Sequence, residues 1–363
     1  MLKIILNSRP MKMVKVAVVY STKAGLEVEY RRHRENDADD DDPPPDYFAE
    51  GDNPETIDAT LNAFRSYGHT VSGIEADDRL IENLFHIQPD IVFNIAEGLY
   101  GECRESYVPL ICERLRIPYS GSDPLTLAIC LNKARAKEIM TINGITTPAF
   151  RVAYPGQSNG ITDFSFPAIV KPVAEGSSKG IFEDSVVSDS HAAQRKIGEL
   201  FTKYQQPVLI EKFLPGDEFT VAIWGNSNDI EILPIVKMDF SQLPEKSKGI
   251  YSYEAKWLWD TTNNPLEIFQ CPANISDELT SSIRNLVKKA YTVLQIRDWC
   301  RIDVRLDEDG TPNIIELNPL PGILPDPREN SCFPKAARSA GYTYSEMLNH
   351  VLEFAVRRCI GHT

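Results

Sequence analysis

The sequence predicts an α/β fold, α+β overall, in which a doubly wound parallel sheet is followed by more mixed architecture. Strand and helix signals alternate through the first third of the chain, which is typical of parallel strands joined by crossover helices. Later strand signals follow one another across short turns, which is typical of hairpins. The length of 363 residues also exceeds what one hydrophobic core usually supports, so we expect two or three domains.

The first third of the chain contains two strand signals and two helix signals. "VKVAVVY" is a β-branched run and is predicted to be the first buried strand. "ETIDATLNAFRSYG" has helical spacing and ends at Gly68, and "RESYVPLICERLR" is an amphipathic helix. "PDIVFNIAEG" is a second strand that runs into a glycine-containing loop. Ligands bind beyond the carboxyl ends of parallel strands, so Glu97 and Glu102 are predicted to lie near a binding crevice.

The remaining elements follow in order. "DPLTLAICLNKARAKEIMTING" is predicted to be one helix, with Asp123 as its N-cap and Gly144 after its end. "FPAIVKPVAEGSSKGIFEDS" is a strand, a Gly/Ser loop and a strand, and "PVLIEKFLPGDEFTVAIWG" is two strands around "PGDE". "DWCRIDVRLDEDGTPNIIELNPLPG" is a hairpin whose turn is "DEDG", and "YSEMLNHVLEFAVRR" is an amphipathic final helix.

Composition excludes several classes of protein. The net charge of −14 argues against nucleic acid as a partner, because neutralising phosphates requires clustered Lys and Arg. No uncharged apolar run approaches the roughly 20 residues that a membrane helix needs, and no signal peptide is recognisable. The seven cysteines are scattered and include no CxxC pair, which is typical of free thiols in a reduced cytoplasm. We therefore expect a cytoplasmic protein that binds neither nucleic acid nor membrane.

An acidic, proline-rich segment, "ENDADDDDPPPDYFAEGDNPE", interrupts the first domain at about residues 34–54. Its composition predicts a solvated, mobile insertion. Metal binding by this run is the weaker alternative, since nothing in it fixes a coordination geometry.

The hairpin at 300–318 carries the most specific chemistry. Side chains alternate faces along a strand, so Arg301 and Asp303 share one face, as do Glu316 and Asn318 on the partner strand. With the turn centred in "DEDG", Glu316 is expected across from Arg301 and diagonal to Asp303. Oxygen ligands without His or Cys suit Mg²⁺ bound to substrate phosphates. The alternative is a solvent-facing hairpin with a surface ion pair.

Three further segments are suited to nucleotide chemistry. In "KPVAEGSSKG", Lys171 ends an apolar strand, and the small residues after it let backbone N–H groups approach phosphate oxygens; a flexible turn is the alternative. "VLIEKFLPGDEF" suits adenine and ribose recognition, although a plain strand–turn–strand explains it equally. In "NPLPG", the N–H of Gly322 is a candidate oxyanion donor beside Arg301, and the alternative is a proline-rich turn.

Taken in chain order, these pieces resemble the D-alanine–D-alanine ligase branch of the ATP-grasp superfamily, from about residue 14 to about 357. The segments that carry the resemblance are "IPYSGSDPLTLAICLNKARAK", "FPAIVKPVAEGSSKGI", "VLIEKFLPGDEFTVAI", "YSYEAKW" and "RIDVRLDEDGTPNIIELNPLPG". The resemblance implies an ATP-grasp fold that clamps ATP between two α+β subdomains. The domains expected are an N-terminal α/β domain at 1–132, a central subdomain at 133–217 and a C-terminal subdomain at 218–363.

The motifs and the resemblance together assign candidate site residues. The ATP-binding residues are Lys133, Lys171, Glu175, Gly176, Ser177, Ser178, Glu211, Lys212, Phe213, Leu214, Glu218, Lys256 and Ile315. The metal ligands, for two Mg²⁺ ions or for Mn²⁺, are Asp303, Glu316 and Asn318. The catalytic residues are Arg301, Gly322 and Glu97. The substrate-binding residues are Glu27, Glu97, Glu102, Trp257, Ser331 and Cys332. Without a His near it in sequence, Cys332 is not predicted to be a nucleophile.

Departures from the family pattern fall at the substrate side. The glycine-rich loop after the first strand is replaced by "YSTKAGLEVEYRRHRE", in which Glu27 or Glu29 is left to hold a substrate ammonium. Glu97 stands where the family has His, and Trp257 where it has Tyr. The sequence therefore predicts an ATP-dependent ligase that joins a small carboxylate to an amine through an acyl phosphate, with a pair other than two D-alanines. The alternatives are an authentic D-alanine–D-alanine ligase, a kinase and a catalytically inactive nucleotide-binding regulator. The resemblance also implies a homodimer.

Overall fold

The fold is built on three β-sheets that follow one another along the chain. The computed structural model describes residues 12–34, 43–156, 161, 163–244, 247, 249–260 and 266–361. The strands within these residues are β1 (Lys15–Tyr20), β2 (Thr70–Glu75), β3 (Ile91–Asn94), β4 (Phe150–Ala153), β5 (Ala168–Pro172), β6 (Val186–Val187), β7 (Val208–Lys212), β8 (Glu218–Trp224), β9 (Glu231–Ile232), β10 (Val236–Met238), β11 (Phe269–Gln270), β12 (Trp299–Leu306) and β13 (Pro312–Asn318). The α-helices are α1 (Lys23–Arg34), α2 (Pro54–Arg65), α3 (Leu80–Ile87), α4 (Tyr107–Leu115), α5 (Pro124–Leu131), α6 (Lys133–Ile142), α7 (Ser190–Tyr204), α8 (Asp277–Val293), α9 (Cys332–Ser339) and α10 (Tyr344–Ile360).

The first sheet is parallel, in the order β2-β1-β3, with helices on both faces. Val16 and Val18 of β1 pack with Phe64 of α2 on one face. Ala17 and Val19 of the same strand pack with α3 and α4 on the other face. Burial on both faces explains the uninterrupted apolar run of β1. The predicted doubly wound parallel sheet is confirmed.

The second and third sheets are antiparallel and face one another across the candidate site. The order is β4-β7-β5-β6 in the second sheet and β11-β10-β8-β12-β13 in the third, where β9 also pairs with β8. Helix α7 covers the second sheet, and α8 covers one side of the third. The other side of the third sheet joins the largest core, which includes α9 and α10. The domain bounds at 132 and 217 stay a prediction.

The helix predicted across 123–143 is two helices, so that prediction was wrong in one respect. Asn132 has an extended ψ of 92° and ends α5, and its side chain accepts a hydrogen bond from the N–H of Arg135 to cap α6. The N–H of Lys133 then donates to the carbonyl of Val173 at 3.0 Å. The break turns the first residue of α6 toward the loop that follows β5, and Asp123 is the N-cap as predicted.

The register of the β12–β13 hairpin also differs from the prediction. Asp303 lies directly across from Glu316, and Arg301 lies across from Asn318. The predicted pairing of Glu316 with Arg301 was wrong by two positions, because the turn is centred on Asp309 and because the register shifts after Asp303 and leaves Ile315 as an extra residue. Such a bulge makes two residues of one strand oppose one residue of its partner. The two carboxylates are therefore closer than simple alternation predicts.

The second half of the acidic segment is not a solvated loop. Asp46 is fully buried and Glu50 is 7% exposed. Both carboxylates have protein partners, which is the usual condition for burying a charged group. The prediction of a solvated insertion is thus wrong for 43–54, and residues 35–42 lie outside the described part of the chain. Among the helices of the described residues, none is both long and apolar enough to cross a membrane.

Candidate active site

A cavity of about 1120 Å³ lies where the three sheets meet. The sequence-predicted residues that line it are Glu27, Glu97, Lys171, Glu175, Ser177, Ser178, Glu211, Lys212, Phe213, Leu214, Glu218, Lys256, Trp257, Arg301, Asp303, Ile315, Glu316, Gly322, Ser331 and Cys332. An adjoining polar cavity of about 60 Å³ shares several of these residues and is also lined by Lys133, Gly176 and Asn318. The structure therefore brings nearly all of the predicted residues together.

Two carboxylates on the hairpin each have a cationic partner. Arg301 holds Asp303 through two hydrogen bonds, from Nε at 3.1 Å and from Nη2 at 2.9 Å. The Nζ atom of Lys133 lies 2.8 Å from Oε1 of Glu316. The Nδ2 atom of Asn318 lies 3.4 Å from Oδ2 of Asp303. Residues from α6 and from both strands of the hairpin thus form one charged cluster.

The cluster fits a divalent cation that prefers oxygen ligands. Burial by itself raises the pKa of Glu316, but the charges of Lys133, Lys171 and Arg301 outweigh burial and lower that pKa to about 2. The carboxylate is therefore ionised at any physiological pH, as metal ligation requires. No group of three or more His, Cys, Asp or Glu suited to a metal occurs among the described residues. Two carboxylates and a carboxamide, completed by phosphate oxygens and water, match the usual protein environment of Mg²⁺.

A second charged cluster joins α6 to β5 and β7. Oε2 of Glu211 lies 2.6 Å from Nζ of Lys137, and Oε1 lies 3.4 Å from Nζ of Lys171. Burial lowers the pKa of Lys137 to about 8, although Glu211 opposes this shift. Lys137 was missed in the sequence. Its position four residues after Lys133 puts both lysines on one face of the helix, and that spacing was the available signal.

The apolar side of the cavity lies between β7 and the hairpin. Phe213, Leu214 and Ile315 line it. The guanidinium of Arg305 lies 4.7 Å from the ring centroid of Phe213 and donates to Glu218 at 2.8 Å. Because of the bulge, consecutive side chains of β13 line the same cavity, one apolar and one a proposed metal ligand. A flat ring system between these apolar groups would have its polar edge near the backbone of β7.

The loop after β5 has an unusual backbone. Ser177 and Ser178 have positive φ values of 51° and 63°, which are uncommon outside glycine. Their N–H groups have no hydrogen-bond acceptor among the described residues. Trp257 donates from Nε1 to the carbonyl of Ser177 at 3.3 Å, and the hydroxyl of Ser178 donates to the carbonyl of Tyr251 at 3.0 Å. Adjacent free N–H groups in left-handed residues form the kind of concavity that binds anions.

The opposite end of the cavity is rich in carboxylates. Burial raises the pKa of Glu97 well above its ordinary value, and the charge of Glu50 raises it further. Burial likewise raises the pKa of Asp52 to about 7, against the effect of the Ser21 N–H. Of the two glutamates left open by the sequence, Glu27 lines the cavity. No pattern in the acidic segment pointed to Asp52.

The segment after β13 connects the two ends. The hydroxyl of Ser331 donates to the carbonyl of Gly322 at 3.0 Å and accepts from the N–H of Leu324 at 3.2 Å. The Ser331 hydroxyl therefore holds the loop that contains Gly322 and Leu324 through two hydrogen bonds. Burial raises the pKa of the Cys332 thiol to about 12, so the thiol is protonated and not a nucleophile. Burial, with Arg301 nearby, lowers the pKa of Lys256.

Two predicted residues lie away from the centre. Glu102 is exposed and lines neither cavity, so its prediction as a substrate ligand is not supported by its position. The turn that carries it directs Arg104 inward instead, where the guanidinium donates to the carbonyl of Ala174 at 2.7 Å. Lys212 lies at the rim, and its ammonium pairs with Glu308 at 2.5 Å.

The arrangement of the sheets is similar to that of a solved protein. The crystal structure of D-alanine–D-alanine ligase from Bacillus anthracis complexed with ATP matches with a TM-score of 0.67 and 21% sequence identity, over 96% of this chain and 99% of that chain. The likeness shows the fold, an ATP-grasp arrangement in which lysines and carboxylates converge between two antiparallel sheets.

The sequence matches the family "D-ala D-ala ligase C-terminus" over residues 144–353. D-alanine–D-alanine ligase of Actinobacillus succinogenes is 31% identical over 304 residues, covering 82% of this chain and 91% of that protein. The uncharacterized protein y4sG of Sinorhizobium fredii is 32% identical over 327 residues, covering 88% and 92%. This chain therefore belongs to the D-alanine–D-alanine ligase family. The predicted class of enzyme, an ATP-grasp ligase that forms carbon–nitrogen bonds, is confirmed.

Proposed function

We propose that the protein is an ATP- and Mg²⁺-dependent ligase that joins a carboxylate to an amine through an acyl phosphate, with substrates other than two D-alanines. The observation that carries this proposal is one cavity in which carboxylates paired with cations at one end meet carboxylates with raised pKa values at the other. Arg301 and Gly322 line the cavity between those ends. The carboxylate of Glu97, at a position where the resembled family has His, supports a different substrate pair.

The nucleotide end binds and orients ATP. Asp303, Glu316 and Asn318 would hold Mg²⁺, which when bound offsets negative charge on the phosphate oxygens. Lys133 and Lys171 add positive charge beside the same oxygens. Phosphoryl transfer depends mainly on such positioning and charge compensation.

The ligation takes place at the substrate end and at the region between the two ends, which Arg301 and Gly322 line. A substrate carboxylate oxygen attacks the γ-phosphorus of ATP, and ADP leaves. The amine then attacks the carbonyl carbon of the acyl phosphate, and phosphate leaves. Arg301 and the N–H of Gly322 stabilise the oxyanion of the tetrahedral intermediate, a contribution that reaches about 3 kcal/mol per donor. Glu97, whose pKa is raised by burial, accepts a proton from the amine.

The test is a screen for ADP release over pairs of amino acids, amino-sugar acids and cyclic acids, followed by the mass of each product. We expect amide formation with a pair other than two D-alanines, with one ADP and one phosphate per amide. If D-alanyl-D-alanine is instead the product formed fastest, the protein has the activity for which the relatives are named. A phosphorylated acid without an amide would indicate a kinase, and no turnover with any pair would indicate a regulator. The proposed homodimer is tested by the mass of the protein in solution.

A further inference from the structure

The ordered part of the acidic segment, residues 43–54, makes close contacts with the loop after β5. We call this part the acidic strap and residues 175–180 the phosphate loop. Oδ2 of Asp46 accepts the N–H of Gly180 at 2.7 Å, and the hydroxyl of Tyr204 donates to the same carboxylate at 2.7 Å. Oε1 of Glu50 accepts the N–H of Gly176 at 2.8 Å. The strap therefore binds the phosphate loop at both of its glycines.

Glu50 is also the centre of a buried ion network. Nη2 of Arg104 lies 3.0 Å from each of its oxygens, and Nζ of Lys179 lies 2.7 Å from Oε2. Glu175, the first residue of the phosphate loop, lies 2.6 Å from Lys179 and 3.3 Å from Arg104. This network of four charged residues thus links the N-terminal domain, the strap and the loop. Truncating one member leaves a buried charge without its partner, so the network favours a single arrangement.

The strap uses the outer N–H groups of the loop and leaves the inner ones free. The N–H groups of Gly176 and Gly180 point to Glu50 and Asp46, whereas those of Ser177 and Ser178 have no acceptor among the described residues. Left-handed conformations in non-glycine residues are strained and persist only where surrounding contacts fix them. The contacts at each glycine supply that constraint on both sides of the two serines.

We propose that the acidic strap is a positioning element, in which Asp46 and Glu50 hold the phosphate loop closed over the reacting phosphates and so protect the acyl phosphate from water. This inference rests on the proposed function. Residues Phe48 and Asp52 of the strap also line the cavity, so the same segment borders the substrate. When the loop opens, water attacks the carbonyl carbon of the acyl phosphate, the bond to the phosphate oxygen breaks, and the acid is regenerated. The net leak is ATP plus water to ADP plus phosphate.

The first experiment measures backbone hydrogen exchange of the phosphate loop in the protein without ligands, for Glu50→Gln and Asp46→Asn. We expect exchange of the peptide spanning 175–180 to become about 10- to 100-fold faster, as for the loss of a charge-assisted hydrogen bond. Asp184→Asn is the matched control and should leave the exchange unchanged, because within the described residues the ion pair of this exposed carboxylate is with Lys196, outside the loop.

The second experiment measures ADP released per amide formed, at saturating ATP. The wild-type ratio should be close to one, and Glu50→Gln should raise it several-fold. A purely structural role would lower both rates together and leave the ratio unchanged. Where Glu50→Gln does not fold, Tyr204→Phe replaces it, since this change removes only the hydroxyl that donates to Asp46.

Unchanged exchange in both variants, or an unchanged ratio in a folded variant with faster exchange, would overturn the role of the strap. Failure of the proposed function is distinguishable from this result. In that case the wild-type protein forms no amide with any pair, while the exchange experiment still reports whether Asp46 and Glu50 hold the loop.

Discussion

The two ends of the cavity use the same kind of side chain in opposite ways. At the nucleotide end, the carboxylates of Asp303, Glu211 and Glu316 each lie against a cation. At the substrate end, Glu97 and Asp52 are half-buried and form no ion pair among the described residues, and burial raises their pKa values. Burial favours the neutral acid in both places, and only a nearby positive charge reverses the direction. For Glu211 and Glu316, nearby lysines lower the pKa in spite of burial, whereas burial prevails at Glu97 and Asp52.

This difference suits two kinds of chemistry. Ionised, paired carboxylates beside lysines can exchange their partners for a metal ion and a phosphate chain with little reorganisation. Carboxyl groups with raised pKa values are suited to accept or release a proton near neutral pH. The predictions below separate the two ends.

The largest effect is expected at the nucleotide end, for Glu316→Ala. The change removes a proposed metal ligand and leaves Lys133 buried without its carboxylate. ADP release at a fixed substrate concentration should fall by about 10³-fold, which corresponds to roughly 4 kcal/mol. The control is Asp309→Ala, an exposed carboxylate on the turn of the same hairpin. Full activity in Glu316→Ala would show that Glu316 is not a ligand of an essential metal ion.

The next effect is on stability and concerns Lys137→Met. The variant leaves Glu211 buried with Lys171 alone, at the longer distance of 3.4 Å. The free energy of unfolding, measured in urea, should fall by about 3 kcal/mol. Lys203→Met, which removes an exposed pair with Glu199, should cost at most about 0.5 kcal/mol. Equal losses of unfolding free energy in the two variants would show that the buried cluster contributes no more to stability than the exposed pair.

A smaller effect is expected for Glu97→Ala at the substrate end. The relative kcat/KM values for different acid–amine pairs should change by about tenfold, roughly 1.4 kcal/mol, because the side chain lines the cavity and is proposed to accept the proton of the amine. The Kd of a non-hydrolysable ATP analogue, from calorimetry, should stay the same. Loss of nucleotide binding would instead make Glu97 a structural residue.

The smallest effect is the pH dependence of Asp52→Asn. The folded pKa of about 7 lies above the ordinary value of 3.8, so this carboxyl stabilises the fold only while protonated. Its contribution is complete below the unfolded pKa and is lost as the pH rises through about 7. The Tm of the variant relative to wild type should therefore rise by about 2 °C between about pH 5 and about pH 8. Asp58→Asn, on the exposed side of α2, should show no such trend.

Local patterns predicted the hairpin and the phosphate loop, since each depends on alternation and turn chemistry within a short segment, whereas the roles of Lys133, Lys256 and Ser331 came from the resemblance to the family. The predicted register was wrong because the turn is centred on Asp309 and because one extra residue, Ile315, leaves no mark on that alternation. The division at Asn132 was hidden by a continuous helical pattern.

The acidic strap was missed for a different reason. Its composition is that of a solvated chain, and its partners Arg104, Lys179 and Gly180 are 54, 129 and 134 residues away from the carboxylates they bind. Contacts between such distant segments depend on the arrangement of whole domains. Composition therefore described the strap correctly as acidic but gave no sign of where the charges would lie.

The bond from Trp257 to the carbonyl of Ser177 has a practical consequence. The indole is 40% exposed, whereas those of Trp224 and Trp299 are fully buried in the core. Emission from Trp257, together with that of its half-buried neighbour Trp259, will therefore respond to the polarity around the loop, while the two core indoles supply a steady background. A rapid-mixing record of intrinsic fluorescence can then follow each opening and closing in time, without an attached dye.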